Sequence, residues 1–339
     1  MRIAAIAFTD AGCALGRRLQ SGEPDLDVTR CPAGGLADWT RERFASCDAL
    51  LFIGSVGIAV RAVASLARSK ASDPAVVVID EQGQFAIPVL SGHIGQANAL
   101  ARRLARAIGA KAVVTTATDL RGLFAVDDWA VRQGLRIANP ERVKTVSAAL
   151  LAGRDIRLAA EFPIAGTPPR QVVLGGNQWD VFVTCRTLPP TDTALHLVPP
   201  VITAGVGCRK GTSVEAVEAA FSAALAAAGR HRLSVAEVCS VDLKADEPGL
   251  AEFCARHGLP FRTFAAASLA ALEGDFAASE FVATIAGVDN VCERAAVLGG
   301  GGYLVARKAA WDGVTVALAL REPSLCFDDF GAEEGQWAC

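Results

Sequence analysis

The chain has 339 residues, of which 52% are hydrophobic and 20% are charged. At roughly 150 residues per domain this length predicts two or three domains, and the apolar excess excludes an intrinsically disordered protein. Lys and Arg total 33 against 36 Asp and Glu, and this net charge of −3 argues against a general affinity for nucleic acid. The longest uncharged apolar stretch, residues 49–60, ends at Arg61. A bilayer span needs about 20 apolar residues, so a soluble protein is expected.

The cysteine and histidine pattern argues against a structural zinc site. Ten cysteines are scattered without a CxxC pair, and the four histidines are far apart in sequence. Zinc sites use closely spaced ligand pairs, so reduced, mostly buried thiols in a cytoplasmic protein are the better interpretation. The N-terminal run at residues 2–8 is shorter than a signal-peptide core and predicts a buried first strand.

Apolar strands alternate with amphipathic helices over the first 121 residues. In the clearest helix, Leu100 and Leu104 share an apolar face, whereas Arg102 takes the opposite one. Strands that are apolar along their whole length are typical of parallel sheets covered by helices. We therefore predict an α/β fold whose N-terminal parallel-sheet three-layer module spans residues 1–121. Its strands are expected at 2–8, 49–53, 75–79 and 112–115, and its helices at 36–46, 58–69 and 95–108.

The pattern changes after residue 121, where proline-rich turns separate shorter elements. A helix at 141–151 and strands at 156–160, 171–174 and 180–184 predict a smaller middle α+β module at residues 122–199. Pro199 and Pro200 mark its end, and a C-terminal α/β module is predicted at 200–320. Its strands are expected at 201–206, 236–241, 261–264, 303–306 and 314–320, and its helices at 214–228, 248–257 and 291–298. The tail at 321–339 is expected to add little to the core.

Two glycine-containing segments lie where a predicted strand gives way to a helix, which is where open α/β sheets bind ligands. The first is the turn Gly54, Ser55 and Gly57, whose backbone N–H groups suit an anion at a helix N-terminus, although an ordinary tight turn is the alternative. The second contains His93, which titrates near neutral pH and suits proton transfer. The alternative is a capping serine and a histidine bonded to a loop carbonyl, but polar groups at the mouth of a buried strand favour a functional site. Its other candidate binding residues are Ser91, Gly92, Gly95 and Asn98.

A threonine-rich segment follows the strand predicted at 112–115. Thr115, Thr116 and Thr118 precede Asp119, and an acidic pair at 127–128 comes a little later. Three hydroxyls and a carboxylate at a strand end suit hydrogen bonding to a polar substrate, but a threonine-rich turn capped by Asp119 is equally consistent.

The C-terminal module contributes cations and one carboxylate. Its first segment, with Gly205 and Gly207 before Arg209 and Lys210, lacks the GxxxxGK[ST] spacing, which argues against a nucleoside triphosphate. Arg209 and Lys210 at a helix entrance, and Lys244 after a later strand, suit carboxylates. Glu293 lies in an alanine-lined helix. A buried carboxylate there is either a structural ion-pair member or an acid/base candidate.

Taken together and in this order, these segments resemble the CbiG family of cobalamin biosynthesis, the cobalt-precorrin-5A hydrolases. The resemblance covers most of residues 50–320 and includes LFIGSVGIAV at 51–60, SGHIGQAN at 91–98, GVGCRKG at 205–211 and a looser match at 287–296. The combination of the SGH and GCRKG elements is specific, whereas either alone would be weaker. Gln96 departs from the pattern, since a second glycine is expected there.

The resemblance implies a substrate and a reaction. The substrate is a cobalt-bearing tetrapyrrole of the oxygen-independent cobalamin (vitamin B12) pathway, with a δ-lactone bridging ring A to a meso carbon. Water opens the lactone, and the meso carbon leaves with its methyl group as acetaldehyde, so the hydrolase cleaves a carbon–carbon bond. No resident cofactor or metal is expected, because the cobalt belongs to the substrate. The expected partners are this substrate and neighbouring corrin-pathway methyltransferases, without nucleic acid or membrane.

Within this reaction, His93 is the candidate for activating water or shuttling a proton, with Asp119 orienting it or taking the proton. Glu293 is the second catalytic candidate. The acetates and propionates of the substrate would meet Arg209, Lys210 and the glycine turns, with Lys244 as a further partner, and segments from both ends of the chain suggest an interdomain cleft. A non-catalytic tetrapyrrole carrier of the same pathway is the opposing hypothesis. An enzyme of sugar phosphates or nucleotides rests on the glycine turns alone.

Overall fold

The computed structural model describes residues 1–69, 72–189, 191–277 and 290–328. The chain forms two compact units. The first contains residues 1–131 and 147–154, and the second contains residues 132–146 and those described from 155 onward. Among the residues that the structure describes, no helix has both the length and the apolar character required to cross a membrane.

A six-stranded sheet in the order β2-β1-β3-β4-β5-β6 forms the centre of the first unit. The first four strands in this order run parallel, β5 is antiparallel to β4, and β6 is parallel to β5. The strands are β1 (Ile3–Ala7), β2 (Leu26–Arg30), β3 (Ala49–Ile53), β4 (Ala75–Ile79), β5 (Phe85–Leu90) and β6 (Lys111–Ala112). Strands β1, β3 and β4 are buried along their whole length, as expected for a sheet covered on both faces.

Helices cover both faces of this sheet, which confirms the three-layer prediction. They are α1 (Asp10–Gln20), α2 (Leu36–Ser46), α3 (Val56–Val63) and α4 (Ala97–Ile108), and two short helices follow, α5 (Ala117–Leu120) and α6 (Val126–Arg132). Successive side chains of a strand point to opposite faces. Accordingly, Ala5 packs in the same cluster as α1 and α4, whereas its neighbour Ile6 packs with α2 and α3.

Five elements described with this unit were not predicted, namely α1, β2, β5, α5 and α6. Strand β2 lies at the edge of the sheet, so the charged residues in LDVTR break the apolar run that identified the other strands. Strand β5 contains Pro88, which ordinarily argues against a strand. The helix expected at 58–69 is shorter than predicted, and the strand expected at 112–115 has two residues, Lys111 and Ala112.

The second unit contains two five-stranded sheets. The middle sheet has the order β10-β8-β11-β12-β7 and is parallel except for β7, which is antiparallel to β12. Its strands are β7 (Arg136–Ile137), β8 (Ile156–Ala160), β10 (Val172–Leu174), β11 (Val181–Val183) and β12 (Leu195–Val198). Helix α7 (Arg142–Leu151) precedes β8 in the chain, and β9 (Ile164–Ala165) follows it. Strands β7, β9 and β12 were not predicted.

The C-terminal sheet has the order β15-β14-β13-β17-β16, with β13, β14 and β15 parallel and β17 antiparallel to both of its neighbours. Its strands are β13 (Ile202–Cys208), β14 (Val235–Val241), β15 (Phe261–Phe264), β16 (Tyr303–Trp311) and β17 (Val314–Leu320). The helices of this part are α8 (Val214–Ala227), α9 (Pro248–His257), α10 (Ala266–Ala270) and α11 (Val291–Gly300).

The described part of the tail contributes to the core, contrary to the prediction. Leu325 and Phe327 are each only 2% exposed, and β18 (Leu325–Cys326) pairs in parallel with β9. Burying such side chains contributes about 1.5–3 kcal/mol each, so residues 325–327 belong to the fold. Residues 329–339 lie outside the described residues, as do residues 287–289 of the family-like stretch.

Candidate functional site

A tight loop between β5 and α4 positions His93. Ser91 and Gln96 both have left-handed backbone conformations, with φ of 57° and 66°. The N–H of Asn98 donates to the carbonyl oxygen of Gly92 at 2.9 Å, so the loop folds back onto the start of the helix. A Cβ atom at Gly92 would lie 2.9 Å from the side-chain oxygen of Asn98. A larger residue at this position would therefore displace the side chain of Asn98.

Both ring nitrogens of His93 are bonded to carboxylates. Nε2 lies 2.7 Å from Oδ2 of Asp119, and Nδ1 lies 3.1 Å from Oδ1 of Asp127. A carboxylate only accepts hydrogen bonds, so both ring nitrogens carry a proton when both bonds form. Burial alone would lower the pKa of His93, but the hydrogen bonds and charges of Asp119 and Asp127 outweigh it and raise the pKa to about 10. The ring is 14% exposed and is held as an imidazolium.

Asp119 is held by three donors from two elements. Its Oδ1 accepts from Arg102 at 2.6 Å, and its Oδ2 accepts from the Asn98 amide at 3.2 Å in addition to His93. The same Asn98 amide donates to the hydroxyl of Thr116 at 3.0 Å. Burial would raise the pKa of Asp119, but its bonds to His93 and Arg102 outweigh that effect and lower the pKa to about 2. Asp119 is therefore a permanent anion at neutral pH.

Gln96 connects this loop to the acidic start of α6. Its side-chain amide donates to the carbonyl oxygen of His93 at 2.9 Å and to Oδ1 of Asp128 at 3.1 Å. A left-handed backbone favours glycine, which is the residue that the family pattern led us to expect at this position. The two hydrogen bonds offset the strain, so the departure from the pattern has a structural explanation.

Two buried hydroxyls in these segments have no partner among the residues that the structure describes. Ser91 is 7% exposed and Thr118 is 5% exposed, yet Oγ of Ser91 and Oγ1 of Thr118 have no hydrogen-bond partner. Leaving such a group unpaired costs about 1–3 kcal/mol. Thr115, in contrast, is exposed. Four of the predicted residues thus form one hydrogen-bonded group, namely His93, Asn98, Thr116 and Asp119. Four more residues, to which the sequence analysis assigned no role, contact this group: Gln96, Arg102, Asp127 and Asp128.

The turn before α3 has local contacts of its own. The N–H of Gly54 donates to the carbonyl oxygen of Ile79 at 2.8 Å, and a Cβ atom at Gly54 would lie 2.9 Å from the ring of Phe8. Gly57 accepts a hydrogen bond from Arg61, and the exposed Ser55 makes no side-chain cap. These contacts explain Gly54 by close packing, and an anion at this turn stays a prediction.

Gly205 and Gly207 both lie inside β13, because the strand extends two residues beyond the end predicted at 206. They pair with Ala317 and Thr315 of the neighbouring strand. A Cβ atom at Gly205 would overlap the carbonyl oxygen of Cys292 in α11, so glycine is required at 205 for the helix to pack closely on the strand. Substrate binding by these two residues stays a prediction.

The predicted cations of the second unit have different surroundings. Arg209 and Lys210 are exposed in the loop after β13. Lys244 is 16% exposed, and its Nζ lies 3.0 Å from Oε2 of Glu247, whose Oε1 accepts from the N–H of Gly211 at 2.7 Å. Burial would raise the pKa of Glu247, but its bonds to Lys244 and to the Gly211 N–H outweigh that effect and lower the pKa. Lys244 already has an internal carboxylate partner, which the sequence did not predict.

Glu293 is fully buried at the start of α11 and holds two backbone segments. Its Oε2 accepts from the N–H of Ala277 at 2.9 Å, and its Oε1 accepts from the N–H of Lys308 at 2.7 Å. The side chain of Asn290 caps the helix by accepting from the N–H of Glu293 at 3.0 Å. Both carboxylate oxygens thus accept from partly buried main-chain N–H groups. We therefore assign Glu293 a structural role in place of the predicted acid/base role, and its partners are amides rather than the cation of an ion pair.

Within the described ranges, no group of three or more His, Cys, Asp or Glu side chains is arranged to hold a metal ion.

Three sequence models of one family match the chain in succession. "Cobalamin synthesis G N-terminal" matches residues 38–119, "Cobalamin biosynthesis central region" matches residues 124–199, and "Cobalamin synthesis G C-terminus" matches residues 202–319. Together the three ranges cover more than half of the chain.

Curated relatives match over most of the chain. A cobalt-precorrin-5A hydrolase of Salmonella typhimurium is 36% identical over 341 residues, which covers 94% of this chain and 97% of the relative. Another, of Priestia megaterium, is 32% identical over 300 residues, or 82% of this chain and 79% of the relative. The crystal structure of CobE, a protein from the cobalamin (vitamin B12) biosynthetic pathway, covers 36% of this chain and 90% of its own at 31% identity, with a TM-score of 0.34. The first relative is 36% identical over nearly the full length of this chain, and the three family models match in succession. These findings show that the chain belongs to the cobalamin-synthesis G (CbiG) family.

Proposed function

We propose that this protein is a cobalt-precorrin-5A hydrolase of cobalamin biosynthesis. The observation that carries the proposal is the near full-length similarity to a curated enzyme of that name, 36% identical over 94% of this chain. The hydrogen-bonded group around His93 supports it, because a hydrolase needs side chains that move protons. In this family setting the cobalt enters as part of the substrate, and we propose that the protein works in the cytoplasm beside the methyltransferases of the pathway.

The proposed reaction has two stages that balance without a further reactant. Water adds to the lactone carbonyl carbon, and the ester C–O bond breaks, which leaves a carboxylate on ring A and a hydroxyl on the meso carbon. Loss of the hydroxyl proton then forms a C=O bond and breaks the C–C bond to the macrocycle. The meso carbon leaves with its methyl group as acetaldehyde, and the electron pair of the broken bond stays on the macrocycle, which takes up a proton.

His93 is the proposed proton-transfer residue for these stages, and Asp119 is proposed to orient its ring. The 2.7 Å bond between them fixes the ring, and the ring is 14% exposed, so it is shielded from water without being sealed from a substrate. General acid–base assistance of this kind contributes about 10²–10⁴-fold to a rate. The unpaired buried hydroxyls of Ser91 and Thr118 are proposed as donors to polar groups of the substrate.

The exposed Arg209 and Lys210 are the proposed partners of the substrate's acetates and propionates. Cations of this type bind carboxylates through charge-assisted hydrogen bonds. Lys244 is a weaker candidate than these two, because its ammonium group already pairs with Glu247 at 3.0 Å.

The proposal is tested by incubating the purified protein with cobalt-precorrin-5A and measuring both acetaldehyde and the mass of the corrinoid. A hydrolase releases one acetaldehyde for each corrinoid that loses the meso carbon and its methyl group. A tetrapyrrole carrier, the competing hypothesis, would bind the corrinoid and release none. Retention of an intact lactone-bearing corrinoid after many equivalents of enzyme would therefore overturn the proposal.

A further inference from the structure

His93 contacts a second carboxylate that the proposed chemistry has not yet used. Asp127 is 5% exposed, and its Oδ1 lies 3.1 Å from Nδ1 of His93, on the side of the ring opposite Asp119. A neutral imidazole has one N–H and one lone pair. Between two ionised carboxylates it could donate to only one and would present its lone pair to the other, so this arrangement favours the protonated ring.

The charges around the ring explain why the second carboxylate matters. Asp119 is shared between two cations, because its Oδ1 accepts from Arg102 at 2.6 Å while its Oδ2 meets His93 at 2.7 Å. Asp127 places a second negative charge at the ring. Arg102 on α4 and Asp128 on α6 are further charged groups near the loop. Arg102 pairs with Asp119, and Asp128 accepts from the side-chain amide of Gln96, which also donates to the carbonyl oxygen of His93.

We propose that Asp127 is a positioning residue that keeps His93 protonated in the resting enzyme, so that His93 begins the reaction as an acid rather than as the water-activating base. This inference rests on the proposed function. As the ester C–O bond breaks, the His93 N–H bond breaks and its proton passes to the meso-carbon oxygen. The neutral ring then accepts the hydroxyl proton as the C–C bond breaks, which restores the imidazolium. Of the two protons of the attacking water, one is taken up by the macrocycle through solvent and the other is released, leaving the new carboxylate ionised.

The two-stage role removes a difficulty in assigning His93 as a base. A base must be unprotonated when it meets its substrate, and a ring bonded to two carboxylates is not. An acid that becomes a base in the following step needs no outside proton source, because the proton it gives in the first stage returns to it in the second.

The test uses nuclear magnetic resonance of ¹⁵N-labelled histidine in the protein without substrate, with the His93→Gln variant identifying the His93 signals. In the wild type we expect two ring N–H groups on His93 at pH 7–8. In Asp127→Asn the amide oxygen can still accept from Nδ1 but the charge is lost, so the titration midpoint should fall by about one to three pH units. Asp128→Asn is the matched control, since it removes a neighbouring charge that does not touch the ring, and its shift should be smaller.

Titration of wild-type His93 near its ordinary value of 6.5 would overturn the inference, and so would an unchanged midpoint in Asp127→Asn. The kinetic counterpart is the pH dependence of kcat. Asp127→Asn should lose activity at a lower pH than the wild type while KM stays unchanged, whereas a purely structural defect would lower kcat equally at every pH. If the wild type releases no acetaldehyde, the proposed function fails while the protonation result stands, so the two failures are distinguishable.

Discussion

His93 in the first unit and Glu293 in the second are both ionisable side chains near the N-terminus of a helix, and each is held by two hydrogen bonds. The partners differ. His93 meets two carboxylates at 2.7 and 3.1 Å and remains 14% exposed, whereas Glu293 meets two backbone N–H groups at 2.9 and 2.7 Å and is fully buried. The amide partners of Glu293 cannot gain or lose a proton in this pH range. The ring of His93 can do so, and the carboxylates beside it favour its protonated form. The comparison teaches that the kind of partner and the exposure, rather than burial of charge alone, separate a proton-transfer site from a structural one.

The prediction with the largest expected effect tests the structural role of Glu293. In Glu293→Ala the N–H groups of Ala277 and Lys308 lose their acceptor. An unpaired buried group costs about 1–3 kcal/mol, and these two N–H groups are partly buried, so the free energy of unfolding should fall by at most about 6 kcal/mol. Urea denaturation followed by circular dichroism measures the loss. Glu293→Gln keeps one acceptor oxygen, so its free energy of unfolding should lie between those of Glu293→Ala and the wild type. Unchanged stability together with abolished acetaldehyde release would instead return Glu293 to the catalytic residues.

A second, smaller effect concerns how the contribution of His93 to the free energy of unfolding changes with pH. The pKa of His93 is raised from 6.5 to about 10 in the folded chain, so the folded state binds a proton that the unfolded state has released. Its contribution is fully present below pH 6.5 and is lost as the pH rises to about 10, by an amount on the order of a few kcal/mol. The difference in the free energy of unfolding between the wild type and His93→Gln should therefore become smaller from pH 6 to pH 8 and from pH 8 to pH 10. A constant difference across this range would contradict the ion-pair geometry.

The smallest expected effect concerns the exposed cations of the second unit. Arg209→Gln with Lys210→Gln removes two exposed charges that form no ion pair with the described part of the chain, so the free energy of unfolding should change by less than about 0.5 kcal/mol. Exposed ion pairs contribute about 0.2–1 kcal/mol each, so the loss of both charges should raise KM for the corrinoid by up to about thirtyfold. The matched control is Arg17→Gln, an exposed arginine on α1. An equal KM for the double variant and the control would remove these two residues from the substrate site.

The positions of the proposed site residues were more predictable than their partners. Polar residues after apolar strands pointed to His93 and Asp119, and the structure joins them across 26 residues of sequence. The link from His93 to Asp127 was not predictable, because it depends on where α6 lies after the turn at residue 122. Arg102 was assigned to the polar face of its helix, and nothing in that pattern indicated that the same face meets Asp119.

Other differences have local physical reasons. The glycines of GVGCRKG indicated a loop, since a glycine in a strand and a glycine in a turn look alike in sequence. Only the contact between Gly205 and Cys292 shows that the residue allows a helix to approach. The buried strand β3 was predicted with its correct bounds, Ala49–Ile53, because a run of apolar residues carries its own signal. The antiparallel strand β5, with its proline, does not.

The most direct test of the account is the single-turnover rate of acetaldehyde release from cobalt-precorrin-5A by the wild type and by His93→Ala, with corrinoid binding measured in parallel. Loss of an acid–base group predicts a rate that is lower by about 10²–10⁴-fold, with the corrinoid still bound and the unfolding midpoint confirming a folded variant. Release at the wild-type rate by folded His93→Ala would contradict the assignment of proton transfer to the loop between β5 and α4.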